Sequence, residues 1–206
     1  YSPSGEIWAT EMGRDELGDD IPADEINIIT KDAFYGWPFC YGNNVQDTDF
    51  DDSDAAKEKC VTAKKPWFEI PAHSAPLGLA FVPEESGWPE YTLGDLLVSY
   101  HGSWNRTEPT GYKIVRMNEN AEDDTTPNTT EDFITGWLDE NDEAIGRPVD
   151  LEFGMDGALY ISDDKANVIY KLTYGEPVPA QGTCRATGCS GQICADEDVV
   201  TDCAYT

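Results

Sequence analysis

"DLLVSYHGSWNRTEPTGYKIVRM" (residues 95–117) places two strand-like runs on either side of a loop that carries chemically active side chains. The flanking runs, "DLLVSY" and "YKIVRM", are short and rich in β-branched and aromatic residues, which favours strands over helices. The loop between them holds His101, Trp104 and Arg106, followed by a proline and a glycine. The stretch therefore predicts two strands joined by a functional loop.

Two other segments resemble this one and extend the prediction to the whole chain. "SGEIWATEMG" (4–13), "LGDLLVSYHG" (93–102) and "DGALYISDDK" (156–165) each contain a turn glycine, a β-rich run and a polar loop. Each is followed by a second strand-like run. Such repetition predicts an all-β fold, a β-propeller built from four-stranded blades, with an ordinary meander or sandwich as the alternative.

Three blades are predicted, each with strands that run from the inside outward. Because propellers have roughly four to eight blades, three cannot close a ring. We therefore expect the missing propeller half to come from residues upstream of Tyr1 or from a partner chain. The first blade is predicted to lack its inner strand and the third its outer strand. The predicted strands are 6–10, 25–30 and 66–73, then 77–81, 95–100, 111–117 and 131–137, then 149–153, 158–162 and 167–174.

The charge balance excludes one class of partner. The chain of 206 residues has 41 acidic and 13 basic residues and a net charge of −28, which would repel a phosphate backbone. Nucleic acid is therefore not an expected partner. The acid-rich surface suits salty or calcium-bearing surroundings, although simple solubility is an alternative reason for it. No run of about eighteen apolar residues is present, so no transmembrane segment is expected.

The cysteines and two glycosylation triplets indicate a secreted protein. Six cysteines, an even number, predict disulfides, and the triplets begin at Asn105 and Asn128. Both features are typical of proteins outside the cytosol. Zinc is the competing explanation for the cysteine cluster, which has no CxxC pair and no nearby histidine. Two cysteines flank an acidic loop and four cluster near the end of the sequence: Cys40, Cys60, Cys184, Cys189, Cys194 and Cys203.

The same features divide the chain into three parts. Residues 1–174 form the predicted partial propeller, and 175–183 form a linker rich in proline and glycine. Residues 184–206 are predicted to be a small disulfide-rich appendage, too short for a hydrophobic core.

The functional residue types gather in loops that should open on one face of a propeller. Both histidines, His73 and His101, fall in these loops, together with Arg14, Arg106 and Arg147. Imidazoles suit acid–base chemistry and guanidinium groups suit anion binding. The loop over residues 101–110 is thus expected to face the central channel.

Five stretches carry a family resemblance: "RDELGDD", "FYGWPFCYG", "SAPLGLAF", "HGSWNRTEPTGYKIV" and "GRPVDLEFGMDGALYISDD". They resemble the glucose/sorbosone dehydrogenase family of soluble quinoproteins, which use pyrroloquinoline quinone, and are most similar to the sorbosone-dehydrogenase-like branch. The resemblance covers residues 1 to about 174 and matches the carboxy-terminal half of the family. It implies three blades of a six-bladed propeller. The final stretch, "GCSGQICADEDVVTDC", resembles part of an eight-cysteine-cluster domain.

The resemblance implies a quinone site with calcium at the top of the channel. The glucose-oxidising branch has a quinone-contacting lysine near the position of Gly102, so this chain departs from it there. The catalytic base of the family, a histidine, belongs to an earlier blade and is not among these residues. The residues implied to lie near the quinone are Arg147, His73, His101, Arg106 and Trp104.

Two acidic segments are candidate calcium sites. "EMGRDELGDD" replaces a His-Gly-Pro segment whose carbonyl oxygens bind calcium in the glucose-oxidising branch, and its oxygen atoms suit that ion. "DTDFDDSDAAKE" (47–58) has acids at EF-hand spacing, with Asp52 where glycine is usual; a solvated acidic loop is the alternative. The candidate ligands are Gly13, Asp15, Glu16, Asp19 and Asp20 in the first segment and Asp47, Asp49, Asp51 and Glu58 in the second.

Simpler roles compete with these assignments. His101 could merely hydrogen-bond across the channel mouth, and Arg147 could pair with Asp150 or Glu143. We expect Trp104 to pack within its blade rather than act as a platform for a sugar. Asn105 could carry a glycan instead of lining a site.

Two functions follow. The first is an oxidoreductase in which a sugar or polyol carbon transfers a hydride to pyrroloquinoline quinone while calcium polarises the quinone. The second is a non-catalytic extracellular binding or scaffold propeller, favoured by the missing base and the acidity.

Overall fold

The computed structural model describes residues 1–119, 127–175, 194–195 and 199–202. Within these residues the protein consists mainly of β-strands, with a single α-helix. It divides into two compact units, which are described separately below. The first holds Tyr1–Pro76 and Ser103–Gly111, and the second holds Leu77–Gly102 and the described residues from Tyr112 onward. None of the helices in the described ranges is long and apolar enough to span a bilayer.

The first unit contains one three-stranded antiparallel sheet, in the order β1-β2-β5, and a short β3-β4 hairpin. The sheet confirms the three strands that were predicted for the first blade. Its register pairs Ala9 with Asn27 and Glu25 with Glu69. The strands are β1 Ile7–Glu11, β2 Asp24–Ile29, β3 Cys40–Tyr41, β4 Val45–Gln46 and β5 Phe68–Ile70.

A disulfide joins the only α-helix in the described residues to the hairpin. Helix α1 spans Asp54–Thr62 and begins after Ser53, whose side chain accepts a hydrogen bond from the Ala56 backbone. Cys60 on this helix is bonded to Cys40 on β3. Both sulfurs are buried in a small cluster with apolar neighbours, so the bond stabilises a region with little other core.

The second unit contains two larger sheets, in the orders β13-β9-β8-β7-β6 and β10-β11-β12-β14. They confirm the strands predicted for the second and third blades, except that β9 begins four residues earlier than expected. The strands are β6 Pro76–Phe81, β7 Leu96–Tyr100, β8 Lys113–Glu119, β9 Pro127–Thr135, β10 Pro148–Phe153, β11 Leu159–Asp163, β12 Val168–Tyr174, β13 Cys194–Ala195 and β14 Val199–Asp202.

The prediction that the third blade lacks an outer strand is wrong. Strand β14 pairs antiparallel with β12, with Leu172 opposite Thr201, and β13 pairs with the edge of β9. Parts of the segment assigned to an appendage therefore extend both sheets. Several predictions fall outside the described residues. They are the disulfides at Cys184, Cys189 and Cys203 and the linker over 176–183.

The core of the second unit explains how its loops are held. Along β11, Leu159 and Ile161 point inward and alternate with half-buried residues, as the two-residue period of a strand requires. Every residue of β7 is buried. The Ser99 hydroxyl on this strand donates to the Val149 carbonyl of β10 at 2.6 Å. A hydrogen bond thus joins β7 of the first of these sheets to β10 of the second.

Candidate functional site

Arg147 occupies the centre of a polar cluster in the second unit. One terminal nitrogen of its guanidinium donates to the Gly102 carbonyl at 2.9 Å and lies 3.4 Å from His101 Nδ1. The other donates to the Tyr112 hydroxyl at 3.0 Å, and the guanidinium carbon lies 5.0 Å from the centre of that ring. A guanidinium fixed in this way is preorganised to bind a carboxylate.

Gly102 is required by this cluster. Its φ is +105°, a backbone conformation that residues with a side chain rarely adopt, and a Cβ there would lie 2.6 Å from the Tyr112 ring. A lysine near this position, as implied for the glucose-oxidising branch, cannot be accommodated without moving Tyr112. The backbone carbonyl of Gly102 instead orients Arg147.

His101 lies between two charged groups of the second unit. Its Nε2 is 3.0 Å from Asp164 Oδ1, and its Nδ1 faces Arg147. His101 thus contacts Asp164 of another loop in this unit, while its predicted place at a channel mouth stays a prediction. The contacts with Gly102, His101 and Tyr112 show that Arg147 does more than the surface pairing with Asp150 or Glu143 that sequence suggested.

The remaining predicted quinone contacts belong to the first unit. Arg106 donates to the Ala72 carbonyl at 3.1 Å and to Asp20 at 3.2 Å, so its guanidinium fastens loops together. His73 is buried, and its Nε2 lies 2.7 Å from the Gly18 carbonyl. Both side chains thus have structural partners inside this unit.

Trp104 does not pack in the blade, contrary to our expectation. The residue is 74% exposed. Its loop is nevertheless well fastened, because Ser103 and Thr110 form two hydrogen bonds across it and Asn105 Nδ2 donates to Asp15 at 2.8 Å. The result is an exposed indole on a firmly held loop. The same Nδ2 would carry the glycan predicted at Asn105, which stays a prediction.

The acids of the first segment, residues 11–20, form hydrogen bonds with the loop that contains Arg106. Asp19 accepts a hydrogen bond from the Thr107 backbone at 3.1 Å, and hydrogen bonding from Thr107 lowers the pKa of Asp19. Asp15 and Asp20 are joined to Asn105 and Arg106 as described above. Glu16 has a positive φ of 72°. These carboxylates are thus distributed among separate partners.

The second acidic segment does not form an EF-hand arrangement. Arg14 forms an ion pair with Asp47, which also accepts hydrogen bonds from the backbone of Asp49 and Phe50. Burial alone would raise the pKa of Asp47, but these hydrogen bonds outweigh it and lower the pKa. Asp51 bonds the Ser53 backbone at the start of α1, and Glu58 lies within that helix. Across the described ranges, no three acidic, cysteine or histidine side chains converge as metal ligands.

Sequence reasoning missed a pair of carboxylates on neighbouring strands, the buried Glu25 and the half-buried Glu11. Glu25 on β2 is 4% exposed and accepts hydrogen bonds from Gly42 N at 2.6 Å and from Asn27 Nδ2 at 3.0 Å. The same amide donates to Glu11 at 3.2 Å. Burial raises the pKa of Glu25 to about 7 and also raises the pKa of Glu11. Both line a shallow cleft that is also lined by the exposed Trp37.

Glu25 should make the stability of the protein depend on pH. Its folded pKa of about 7 lies above the reference value of 4.5, so its favourable contribution is complete below pH 4.5 and lost as the pH rises to 7. The loss is on the order of 3 kcal/mol. We expect urea unfolding in EDTA to show this decline for the wild type but not for Glu25→Gln. The control Glu58→Gln, which removes an exposed carboxylate, should keep the wild-type decline. If Glu25→Gln also keeps it, Glu25 is not the cause of the pH dependence.

Comparison with known proteins identifies the family of the protein. The TrAA12-like family model matches residues 2–175, and the chain belongs to that family. The chain is 36% identical over 172 residues to an uncharacterised protein of Borreliella burgdorferi, covering 83% of this chain and 44% of that protein. It is 29% identical over 174 residues to a pyrroloquinoline quinone-dependent pyranose dehydrogenase of Coprinopsis cinerea, covering 66% and 22%.

Solved structures show the same fold. The holo quinone domain of the Coprinopsis cinerea pyranose dehydrogenase has a TM-score of 0.58 and 25% identity, covering 81% of this chain and 50% of that one. A calcium structure of the Trichoderma reesei family AA12 enzyme has a TM-score of 0.57 and 22% identity, covering 80% and 48%. The likeness to these β-propeller structures assigns the same fold to this chain. The chain spans about half the length of these two structures. It spans 44% of the Borreliella burgdorferi protein and 22% of the pyranose dehydrogenase.

Proposed function

We propose that the full-length protein is a sugar or polyol oxidoreductase that uses pyrroloquinoline quinone, and that these residues form three blades of a six-bladed propeller. The observation that carries the proposal is the fixed guanidinium of Arg147 in a chain of the TrAA12-like family. The quinone bears carboxylates, and a preorganised guanidinium suits them. The assignment to the sorbosone branch stays a prediction, as does the similarity of the tail to an eight-cysteine-cluster domain.

Each group in the cluster has a defined task under this proposal. Pyrroloquinoline quinone would supply the acceptor for the hydride of the substrate's carbinol carbon. Arg147 would hold an anionic edge of the cofactor, and Gly102 and Tyr112 hold that guanidinium in place. The base that removes the hydroxyl proton is expected in the rest of the protein.

Calcium, if bound by these residues, would be held by backbone oxygens rather than by a cluster of side chains. The candidate acids are engaged in separate hydrogen bonds and ion pairs, and no group converges in the described residues. Calcium binding through backbone oxygens near Gly13 remains the form compatible with the resemblance.

We also propose that the protein acts outside the cell. The bond between Cys40 and Cys60 supports this location, because structural disulfides persist mainly in oxidising compartments. Blades absent from these residues would be supplied by the rest of the protein or by a partner chain.

The function is tested on the full-length protein by quinone titration followed by dye-linked oxidation of a panel of aldoses and polyols. We expect saturable quinone binding and reduction of the dye with at least one sugar when calcium is present. Quinone binding without oxidation of any substrate would favour the non-catalytic binding or scaffold protein. No quinone binding at all would refute the proposal.

Trp104 is proposed to contact the sugar. A pyranose presents C–H groups that can stack on an indole, and Trp104 combines high exposure with a fastened loop. We expect Trp104→Ala to raise KM roughly tenfold while kcat changes little, since the contact is the same in ground and transition states. Thermal stability should be unchanged. The control Met155→Ala removes another exposed apolar side chain, and an equal effect in both variants would contradict a specific contact.

A further inference from the structure

The turn between β11 and β12 is held by a buried carboxylate. Asp163 Oδ1 accepts hydrogen bonds from the backbone of Lys165 at 3.0 Å and Ala166 at 2.7 Å. Its Oδ2 accepts from Trp137 Nε1 at 2.9 Å and from the Tyr170 hydroxyl at 3.1 Å. The position of the following residue, Asp164, is therefore set by four hydrogen bonds to its neighbour.

Asp164 contacts His101 and thereby restricts its protonation pattern. A guanidinium has only hydrogen-bond donors, so His101 Nδ1, which faces Arg147 at 3.4 Å, has to be the acceptor. A carboxylate has only acceptors, so Nε2, which lies 3.0 Å from Asp164 Oδ1, has to carry the proton. One neutral tautomer satisfies both neighbours. The second tautomer would place an N–H against the guanidinium and a lone pair against the carboxylate.

We propose that Asp164 is a positioning residue, which fixes the Nε2–H tautomer of His101 and through it orients Arg147 for binding an anion. This inference rests on the proposed quinone function. Asp164 touches neither the proposed cofactor nor the substrate directly in this role. Its effect is to present the acceptor Nδ1 to Arg147, so that less ordering is needed when a carboxylate ligand arrives.

The arrangement explains why an exposed acid in a short turn matters. The Asp164 side chain is 61% exposed, so an isolated ion pair there would contribute little. His101 has 20% side-chain exposure, and its two ring nitrogens face groups of opposite charge. The contact between Asp164 and His101 therefore acts by orienting the imidazole and not by attraction between charges.

The test combines a spectroscopic signature with ligand binding in the full-length protein. The hydrogen-bonded Nε2–H proton of His101 should be visible and protected from solvent exchange in a ¹H–¹⁵N spectrum, and it is assigned by its loss in His101→Gln. We expect Asp164→Ala to remove this signal and to weaken pyrroloquinoline quinone binding about fivefold. Asp164→Asn keeps an acceptor oxygen and should retain both the signal and most of the affinity. Glu140→Gln removes an exposed charge elsewhere and should change neither.

The outcomes separate the two proposals. A wild-type signal that Asp164→Ala abolishes, with weaker quinone binding, supports the positioning role. A signal that survives in Asp164→Ala, or one that disappears without any change in affinity, overturns it. If the wild type binds no quinone, the proposed function fails together with the role for the ligand, whereas the His101–Asp164 contact is still judged by the signal alone.

Discussion

Replacement of Arg147 by lysine is expected to weaken pyrroloquinoline quinone binding roughly 100-fold, equivalent to about 3 kcal/mol. Lysine keeps the positive charge, but its three N–H donors radiate from one nitrogen. They cannot reproduce the separate nitrogens with which the guanidinium bonds the Gly102 carbonyl and the Tyr112 hydroxyl and meets a ligand carboxylate. The loss of planar, paired donors is the physical cause. Titration of the full-length variant with the quinone, followed by fluorescence or calorimetry, measures the change.

Arg106→Lys is the matched control. Arg106 was predicted from the sequence to contact the quinone as well, but its guanidinium bonds the Ala72 carbonyl and Asp20. We expect its replacement by lysine to change quinone affinity less than about threefold. Equal losses in the two variants would show that loop integrity, rather than the guanidinium of Arg147, determines binding. An unchanged affinity in Arg147→Lys would contradict the site.

The strand pattern could be predicted from the sequence because each strand carries its own local signal. The β7 run "LLVSY" and the β11 run "LYISD" combine β-forming residues with turn glycines just before them, and both form as expected. The pairing of β14 with β12 could not be predicted. Its partner residues lie about 30 positions apart in sequence, and a cysteine-rich composition masked the strand-forming run "VVTD".

The site was predicted in part, because residue type indicates chemistry but not which partner a side chain chooses. Arg147 and His101 were identified from their loops and do lie together. Trp104 was expected to pack because tryptophan is usually well buried, yet it is exposed. The acids at EF-hand spacing are of residue types that bind calcium, but Asp47 forms an ion pair with Arg14, which lies 33 positions away in sequence. Long-range contacts of this kind leave no periodic mark in a sequence.

The burial of Glu25 could have been predicted from the sequence. This residue is an acid at a position of β2 flanked by buried residues, within "DEINII". A charged residue inside a strand that is otherwise buried indicates a specific partner or an altered pKa, since burying an unpaired carboxylate is costly. The partners, Gly42 N and the Asn27 amide, become evident only in the folded protein.

Asp163→Ala is expected to cause the largest loss of stability among the substitutions considered, on the order of 3–5 kcal/mol. The residue is 4% exposed and accepts four hydrogen bonds, from two backbone amides and from Trp137 and Tyr170. Alanine would leave the buried Trp137 Nε1–H and three partly buried donors without their acceptor. Chemical unfolding of the full-length variant should show a lower midpoint with a similar slope.

Asp156→Ala is a demanding control for this prediction, because Asp156 lies in the turn before β11 and is hydrogen-bonded almost as often. It accepts from Tyr160, Lys171 and the Ala158 backbone, and these contacts lower its pKa to about 2. It is exposed, however, so water can replace each partner in the variant. We expect its loss to be a small fraction of that in Asp163→Ala. Comparable losses at the two positions would mean that the number of hydrogen bonds, and not their burial, decides how firmly the turn presents Asp164 to His101.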